Sequence, residues 1–91
     1  MKDYIHVKAV PRRLKRIEGQ VRGIIKMIDD DKSCEDILIQ IGSVKSALHK
    51  TGQTIFEGHL NHCVLDGIRD GKADEIIKKL FPALEQFSRI V

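Results

Sequence analysis

The sequence has little of what builds β-sheet, membrane or disulfide-stabilised proteins. Its 91 residues include no tryptophan, one tyrosine, three phenylalanines and two prolines. No segment alternates apolar and polar residues with the period of a strand. No run approaches the ~20 apolar residues of a membrane-spanning helix, and the opening MKDYIHVKAV lacks the apolar core of a signal peptide. These absences predict an all-α protein of the cytoplasm that makes no membrane contact.

The two cysteines and the short chain narrow the class further. Without an export signal, two thiols predict metal binding or sulfur sensing rather than a structural disulfide. A chain of 91 residues forms one domain, spanning 1–91, and a core this small favours association with further copies. The net charge of +3 is mild, so its distribution matters more than its total.

The apolar spacing predicts three helices. Residues 1–10 are expected to be a flexible arm, and Pro11 to be the first residue of the first helix. One stripe of that helix is apolar, comprising Leu14, Ile17, Val21, Ile24, Ile25 and Ile28. The acidic run 29–31 ends it. A third helix begins near Ala73, and Pro82 either kinks it or starts a short terminal turn.

The second helix has a clear beginning and an uncertain middle. Ser33 is predicted to cap it, with Asp36 three residues on. Its periodicity extends to about Ile68, and Gly71 is a suitable cap at the far end. If this helix is broken, Gly52 is the expected position.

Three candidate soft-metal ligands lie on this helix, in a pattern that one regular helix cannot bring together. His59 and Cys63 are four residues apart and can share an ion. Cys34 lies roughly 37 Å away at ~1.5 Å per residue. Either the helix folds back near Gly52, or Cys34 comes from a second, antiparallel chain, which gives two equal sites per dimer.

Two thiolates and one imidazole form a set that suits Cu(I). Zn(II) prefers four ligands and would need a water or another residue such as His62. The ordinary alternative is that the cysteines and His59 are simple core residues. A Cys–His nucleophile pair is also conceivable, but no orienting acid, oxyanion hole or sizeable pocket accompanies it, so the chain is not expected to be an enzyme.

The side of the first helix opposite the apolar stripe is basic. Five cationic side chains lie there, namely Arg12, Lys15, Arg16, Arg22 and Lys26. Such a run is often just a solvated face, but acidic residues are sparse beside it. Repeated in an oligomer, it would form a positive surface suited to the phosphates of double-stranded operator DNA.

Several of these segments resemble the CsoR-type metal-sensing transcriptional repressors. They are RLKRIEGQVRGI at 13–24, ILIQIGSVKSAL at 37–48, and the spacing of Cys34, His59 and Cys63. The resemblance covers about residues 11–80, and the ligand spacing matches the copper-sensing branch.

The resemblance implies both an architecture and a mechanism. Two three-helix protomers would form an antiparallel four-helix bundle, and two such dimers a tetramer. The apo protein would bind operator DNA and release it when Cu(I) binds Cys34 of one subunit and His59 and Cys63 of its neighbour. Arg13 and Lys50 match DNA-contacting positions of the family.

Two departures from the copper-sensing pattern keep alternatives open. Ser33 stands where a tyrosine is common, and Lys79 stands where a glutamate bonds the metal-bound histidine. A persulfide sensor of the same fold, using the two cysteines alone, is therefore the first alternative. A copper or zinc carrier with no DNA role is the second.

Overall fold

The computed structural model describes residues 9–89, with all side chains in that range except those of residues 62 and 63. Four α-helices occur in this part of the chain, and no strand does. They are α1 (Ala9–Asp29), α2 (Cys34–His59), α3 (Leu65–Arg69) and α4 (Ala73–Ser88). A π-helical turn, Leu60–Val64, joins α2 to α3. The expectation of an all-α protomer is confirmed, and none of the described helices is long and apolar enough to cross a membrane.

Helix α1 begins earlier than its proline suggested. It starts at Ala9, so the predicted arm is too long by two residues; residues 1–8 lie outside the described range. Pro11 fits because the first-turn N–H groups of a helix have no intrahelical partner. At the other end, Asp31 adopts a left-handed φ of 62°, and Lys32 N–H donates to the Met27 carbonyl at 2.9 Å. This reversal starts the return of the chain along α1.

Helix α2 begins at its predicted cap and does not break. The Ser33 hydroxyl oxygen accepts from Asp36 N–H at 3.1 Å. The helical path then continues through Gly52, the π turn and α3, and Gly71 closes it with a φ of +76°. The sequence left a break at Gly52 open, and the structure shows that α2 is continuous there.

Two glycines on this long helix allow α4 to pack closely against it. A Cβ at Gly52 would lie 2.6 Å from Cζ of Phe87, and a Cβ at Gly67 would collide with the side chain of Ile76. The Phe87 ring also stacks on His49, with centroids 5.2 Å apart and planes 5° from parallel. The missing side chains thus make room for α4, which continues past Pro82 to Ser88 rather than ending there.

A single protomer leaves much of its apolar surface open. The described apolar residues that are buried are Val10, Ile17, Val44 and Val64. By contrast, the exposed large apolar residues include Val21, Ile25 and Ile28 of the predicted α1 stripe, and Ile41 and Leu48 on α2. The radius of gyration is 17.1 Å, against about 12 Å for a compact domain of this length. The stripes are real, but α1 and α2 of one chain cover only part of them.

Candidate metal and DNA sites

Helix α2 places two of the predicted ligands at its opposite ends. Cys34 is the first residue of the helix, and it is exposed with a free thiol. His59 is its last residue and is partly buried. Because the helix between them is unbroken, the fold-back alternative is excluded, and the separation of roughly 37 Å at ~1.5 Å per residue stands. Within the described residues of one chain, no three His, Cys, Asp or Glu side chains form a group that could hold a metal ion.

The π turn changes the backbone geometry around Cys63, the third candidate ligand. It starts immediately after His59 and contains Cys63, and Leu65 N–H bonds the Leu60 carbonyl, five residues back. The sequence-based picture of His59 and Cys63 on one regular α-helical turn is therefore wrong in its geometry, because the backbone ladder widens between them. Such turns are rare and are often found at functional sites.

The two positions that depart from the copper-sensing pattern have local explanations. The Ser33 hydroxyl is committed to capping α2, so it is an element of helix stability. Lys79 is exposed on α4 and, as a cation, has no lone pair to offer an imidazole N–H.

A basic cleft lies between α1 and α2 at the end of the hairpin away from the loop. It has a volume of about 360 Å³ and is lined by Arg13, Arg16, Ile17, Gln20, Ala47, Lys50 and Thr51. The fold therefore brings together Arg13 and Lys50, which are 37 positions apart in sequence. None of the lining residues is acidic, so the three cations face one another with no carboxylate among them.

The other predicted DNA-binding residues are exposed on α1. Arg12, Lys15 and Lys26 all reach solvent. Arg22 differs because its guanidinium lies 3.5 Å from the Glu18 carboxylate. The two residues are one helical turn apart on α1 and form an exposed ion pair. Pairs of this kind contribute about 0.3–0.5 kcal/mol. Arg22 is therefore partly neutralised, while the charges around the cleft are not.

Sequence analysis missed several residues beside the cleft. The Thr54 hydroxyl accepts from Arg13 Nη1 at 3.2 Å and donates to the Lys50 carbonyl at 3.1 Å. Thr51 is buried and bonds the Ala47 carbonyl at 2.8 Å. The buried Gln20 Oε1 has no hydrogen-bond partner among the described residues. The Thr51 and Thr54 bonds to carbonyls four residues back are local to α2, whereas the bond from Arg13 to Thr54 depends on how α1 docks on α2 and no periodicity reveals it.

Candidate soft ligands along one continuous helical path, together with a cationic cleft between α1 and α2, are features expected of a metal-responsive protein that contacts an anionic polymer. The family described as metal-sensitive transcriptional repressor matches residues 6–86. The chain belongs to this family, so it is a transcriptional repressor and not an enzyme.

Individual relatives are named copper-sensing repressors. CsoR of Bacillus subtilis is 41% identical over 80 residues, covering 88% of this chain and 79% of the relative. RicR of Mycobacterium tuberculosis is 48% identical over 60 residues, covering 66% of this chain and 62% of its own length. The chain thus spans less than two thirds of RicR.

Two solved structures share the fold. The copper-sensing repressor CsoR with Cu(I), from Geobacillus thermodenitrificans, superposes with a TM-score of 0.86 at 42% identity, covering 91% of this chain and 86% of that one. The nickel-responsive regulator InrS gives a TM-score of 0.78 at 30% identity, covering 92% and 94%. One fold thus serves proteins named for different metals, so the choice of metal depends on the ligands.

Proposed function

We propose that this repressor senses Cu(I) in the cytoplasm at a site shared between two chains, made by Cys34 of one and His59 and Cys63 of the other. The observation that supports it is the unbroken helix α2, which keeps Cys34 far from His59 within a chain. The donor set fits the ion, since two thiolates and an imidazole match a soft monovalent metal. Relatives named as copper sensors support the same choice.

The uncovered apolar surface supports the partner that this site needs. Ile25 and Ile28 on α1 are more than half exposed, as are Leu38 and Ile39 on α2. Covering such side chains contributes about 25 cal/mol per Å² of apolar surface. Two hairpins packed antiparallel would form a four-helix bundle, and two bundles a tetramer. This packing would set the start of one α2 beside the end of the other.

The DNA-binding surface of the proposed repressor centres on the basic cleft. Arg13, Arg16 and Lys50 line it, and Arg12, Lys15, Arg22 and Lys26 extend it along α1. The exposed guanidinium and ammonium groups would contact backbone phosphates of double-stranded operator DNA. Because each protomer carries one cleft, the spacing of the clefts depends on how the protomers pack.

This dependence gives a physical route from effector to DNA. Ligation by residues of two chains would tie the start of one α2 to the π turn of its partner. Metal coordination across this interface would favour one packing of the bundle over others. The separation of the clefts would therefore change. The operator then dissociates because its phosphates no longer match them; the coupling free energy is typically 1–3 kcal/mol.

A persulfide sensor is the second candidate, and the exposed free thiol of Cys34 favours it. A sulfane-sulfur donor would oxidise Cys34 and Cys63 of neighbouring chains to a disulfide or polysulfide bridge and would itself be reduced. Membership of a repressor family favours both sensors over the carrier without a DNA role.

Mixing two variants tests the shared site. Neither Cys34→Ala nor the double variant His59→Ala/Cys63→Ala should bind Cu(I) tightly alone, because each lacks part of every site. Mixed dimers should regain one complete site out of two. The affinity for Cu(I) is measured by competition with a chromogenic chelator. Native mass spectrometry establishes that mixed dimers have formed. Mixed dimers that recover no tight binding would show that the site is not shared.

A further inference from the structure

The basic cleft contains an arginine whose position is set by a neighbour on the other helix. Arg13 projects from α1, and its Nη1 donates to the Thr54 hydroxyl on α2 at 3.2 Å. The Thr54 hydrogen is already committed to the Lys50 carbonyl at 3.1 Å, so its oxygen faces Arg13 as an acceptor. A free arginine side chain loses up to about 2 kcal/mol of rotamer entropy when it is immobilised. A neutral acceptor restricts Arg13 beforehand without neutralising its charge.

We propose that Thr54 is a positioning residue that holds Arg13 at the cleft, where Arg13, Arg16 and Lys50 together form a preorganised seat for one phosphate group. This inference rests on the proposed DNA-binding function and specifies its best-ordered contact. The seat is assembled from two helices, so it depends on the packing of α1 against α2, whereas the rest of the basic face depends on α1 alone.

The charges and donors around the cleft suit a phosphate. Three cations line the cleft and no carboxylate does, so at low salt their mutual repulsion is not offset when the cleft is empty. Binding of an anion is therefore favoured. The guanidinium groups offer planar pairs of N–H donors that match phosphate oxygens. Gln20 adds an amide whose Oε1 accepts no hydrogen bond from the residues that the structure describes. Turning this amide would present its NH₂ group to an anion without breaking a bond to that oxygen.

The phosphate group could belong to the DNA backbone or be free inorganic phosphate. One pair of variants tests binding of both. Thr54→Val keeps the shape of the side chain and removes the acceptor, whereas Thr54→Ser keeps the hydroxyl. Binding of a duplex selected by the apo protein from random sequences is measured over a range of salt. Binding of inorganic phosphate to the DNA-free protein is followed by NMR. Thermal unfolding and helix content show that each variant is folded.

We expect Thr54→Val to weaken duplex binding by about five- to tenfold, because Arg13 would then lose part of its rotamer freedom only on binding. Its salt slope should stay unchanged, because the number of cations is the same. Thr54→Ser should restore wild-type affinity. Arg13→Ala should instead flatten the slope by about one unit for each engaged subunit. Inorganic phosphate should perturb the cleft resonances in the wild type and in Thr54→Ser, and less in Thr54→Val.

A second variant does not depend on Thr54. Gln20→Glu would place a carboxylate beside the cations and should abolish the response to inorganic phosphate, whereas Gln20→Met, of similar size and neutral, should only weaken it, because the amide donor is lost and the three cations remain. Equal responses in these two variants would overturn the seat.

The remaining outcomes separate this inference from the proposed function. If the duplex binds and the wild type, Thr54→Val and Thr54→Ser are indistinguishable, Thr54 has no positioning role and the inference fails. If Thr54→Ser is as weak as Thr54→Val, the hydroxyl is not the cause, and it fails again. If inorganic phosphate binds in a Thr54-dependent way while no duplex binds, the seat stands and the proposed DNA function fails.

Discussion

His59 is the residue that separates the two candidate effectors. As a Cu(I) ligand it adds a third bond between the chains, whereas a persulfide sensor needs only Cys34 and Cys63. In the copper account, His59→Ala should still bind Cu(I), because two thiolates supply most of the affinity for a soft ion. It should nevertheless remain on the operator, since the third bond defines the packing that releases DNA.

Parallel titrations with Cu(I) and with a polysulfide, each followed by DNA binding, check this expectation. Under the persulfide account, His59→Ala should respond to polysulfide as the wild type does, and covalent dimers should appear on a non-reducing gel. Full release of DNA by Cu(I) in the variant would remove His59 from the mechanism.

Two hydroxyl residues on the same stretch of chain differ in how far sequence could predict them. The cap at Ser33 depends on backbone groups three residues away, so the local sequence was sufficient. The role of Thr54 depends on Arg13, 41 positions away, through the docking of two helices. Pattern analysis detects the first kind of contact and has no access to the second.

At the scale of elements, the seam between α2 and α4 depends on the absence of a side chain at Gly52. Alanine in a helix interior is normally more stable than glycine by about 1 kcal/mol. Gly23 on α1 has open space around it, so Gly23→Ala should stabilise the protein by about that amount. Gly52→Ala should fail to do so, because its Cβ would displace the Phe87 ring.

Urea unfolding of the two alanine variants provides the comparison. Adding Phe87→Ala to Gly52→Ala should recover the ordinary gain relative to Phe87→Ala alone, since the obstructing ring is gone. Equal gains at Gly23 and Gly52 would contradict close packing of α4 on α2.

The basic face of α1 makes a separate prediction. Lys15 is exposed outside the cleft, and Lys32 is an equally exposed lysine in the loop after α1. Lys15→Ala should weaken binding to every duplex sequence and flatten the salt slope by about one unit per engaged subunit. Lys32→Ala, of the same charge change, should leave the slope as it is. The measurement is the slope of log affinity against log salt concentration. Equal slopes in both variants would show that the basic face of α1 is only solvated and does not contact phosphates.

Element boundaries show which signals the sequence carried. The start of α2 and the glycine cap beyond α3 were predictable because each has a specific chemical requirement, a hydroxyl acceptor or a positive φ. The π turn was not, and the sequence left the passage of the helix through Gly52 open. Helix propensity treats a glycine only as a cost, whereas this one is required by a ring from α4.

For the whole molecule, three candidate ligands were predicted from the sequence, and the described residues of a single chain do not assemble a metal site. The spacing of Cys34, His59 and Cys63 predicted a soft metal, but a single chain can only show that α2 keeps Cys34 away from the others. Likewise the apolar character of α1 was predictable, while Ile25 and Leu38 are exposed in one protomer and the sequence does not show what packs on them. Under the proposed dimer both gaps would have the same cause, since the missing contacts would come from another copy of the chain.

Cu(I) bound between chains is proposed to lower the affinity of the repressor for DNA. This effect is tested by measuring the affinity of the reduced protein for its selected duplex, first without copper and then with one Cu(I) per chain. We predict a loss of more than tenfold, equivalent to about 1.4 kcal/mol, with no such loss for the Cys34→Ala variant. A wild-type protein that binds one Cu(I) per chain and keeps its DNA affinity within a factor of ten would contradict the account.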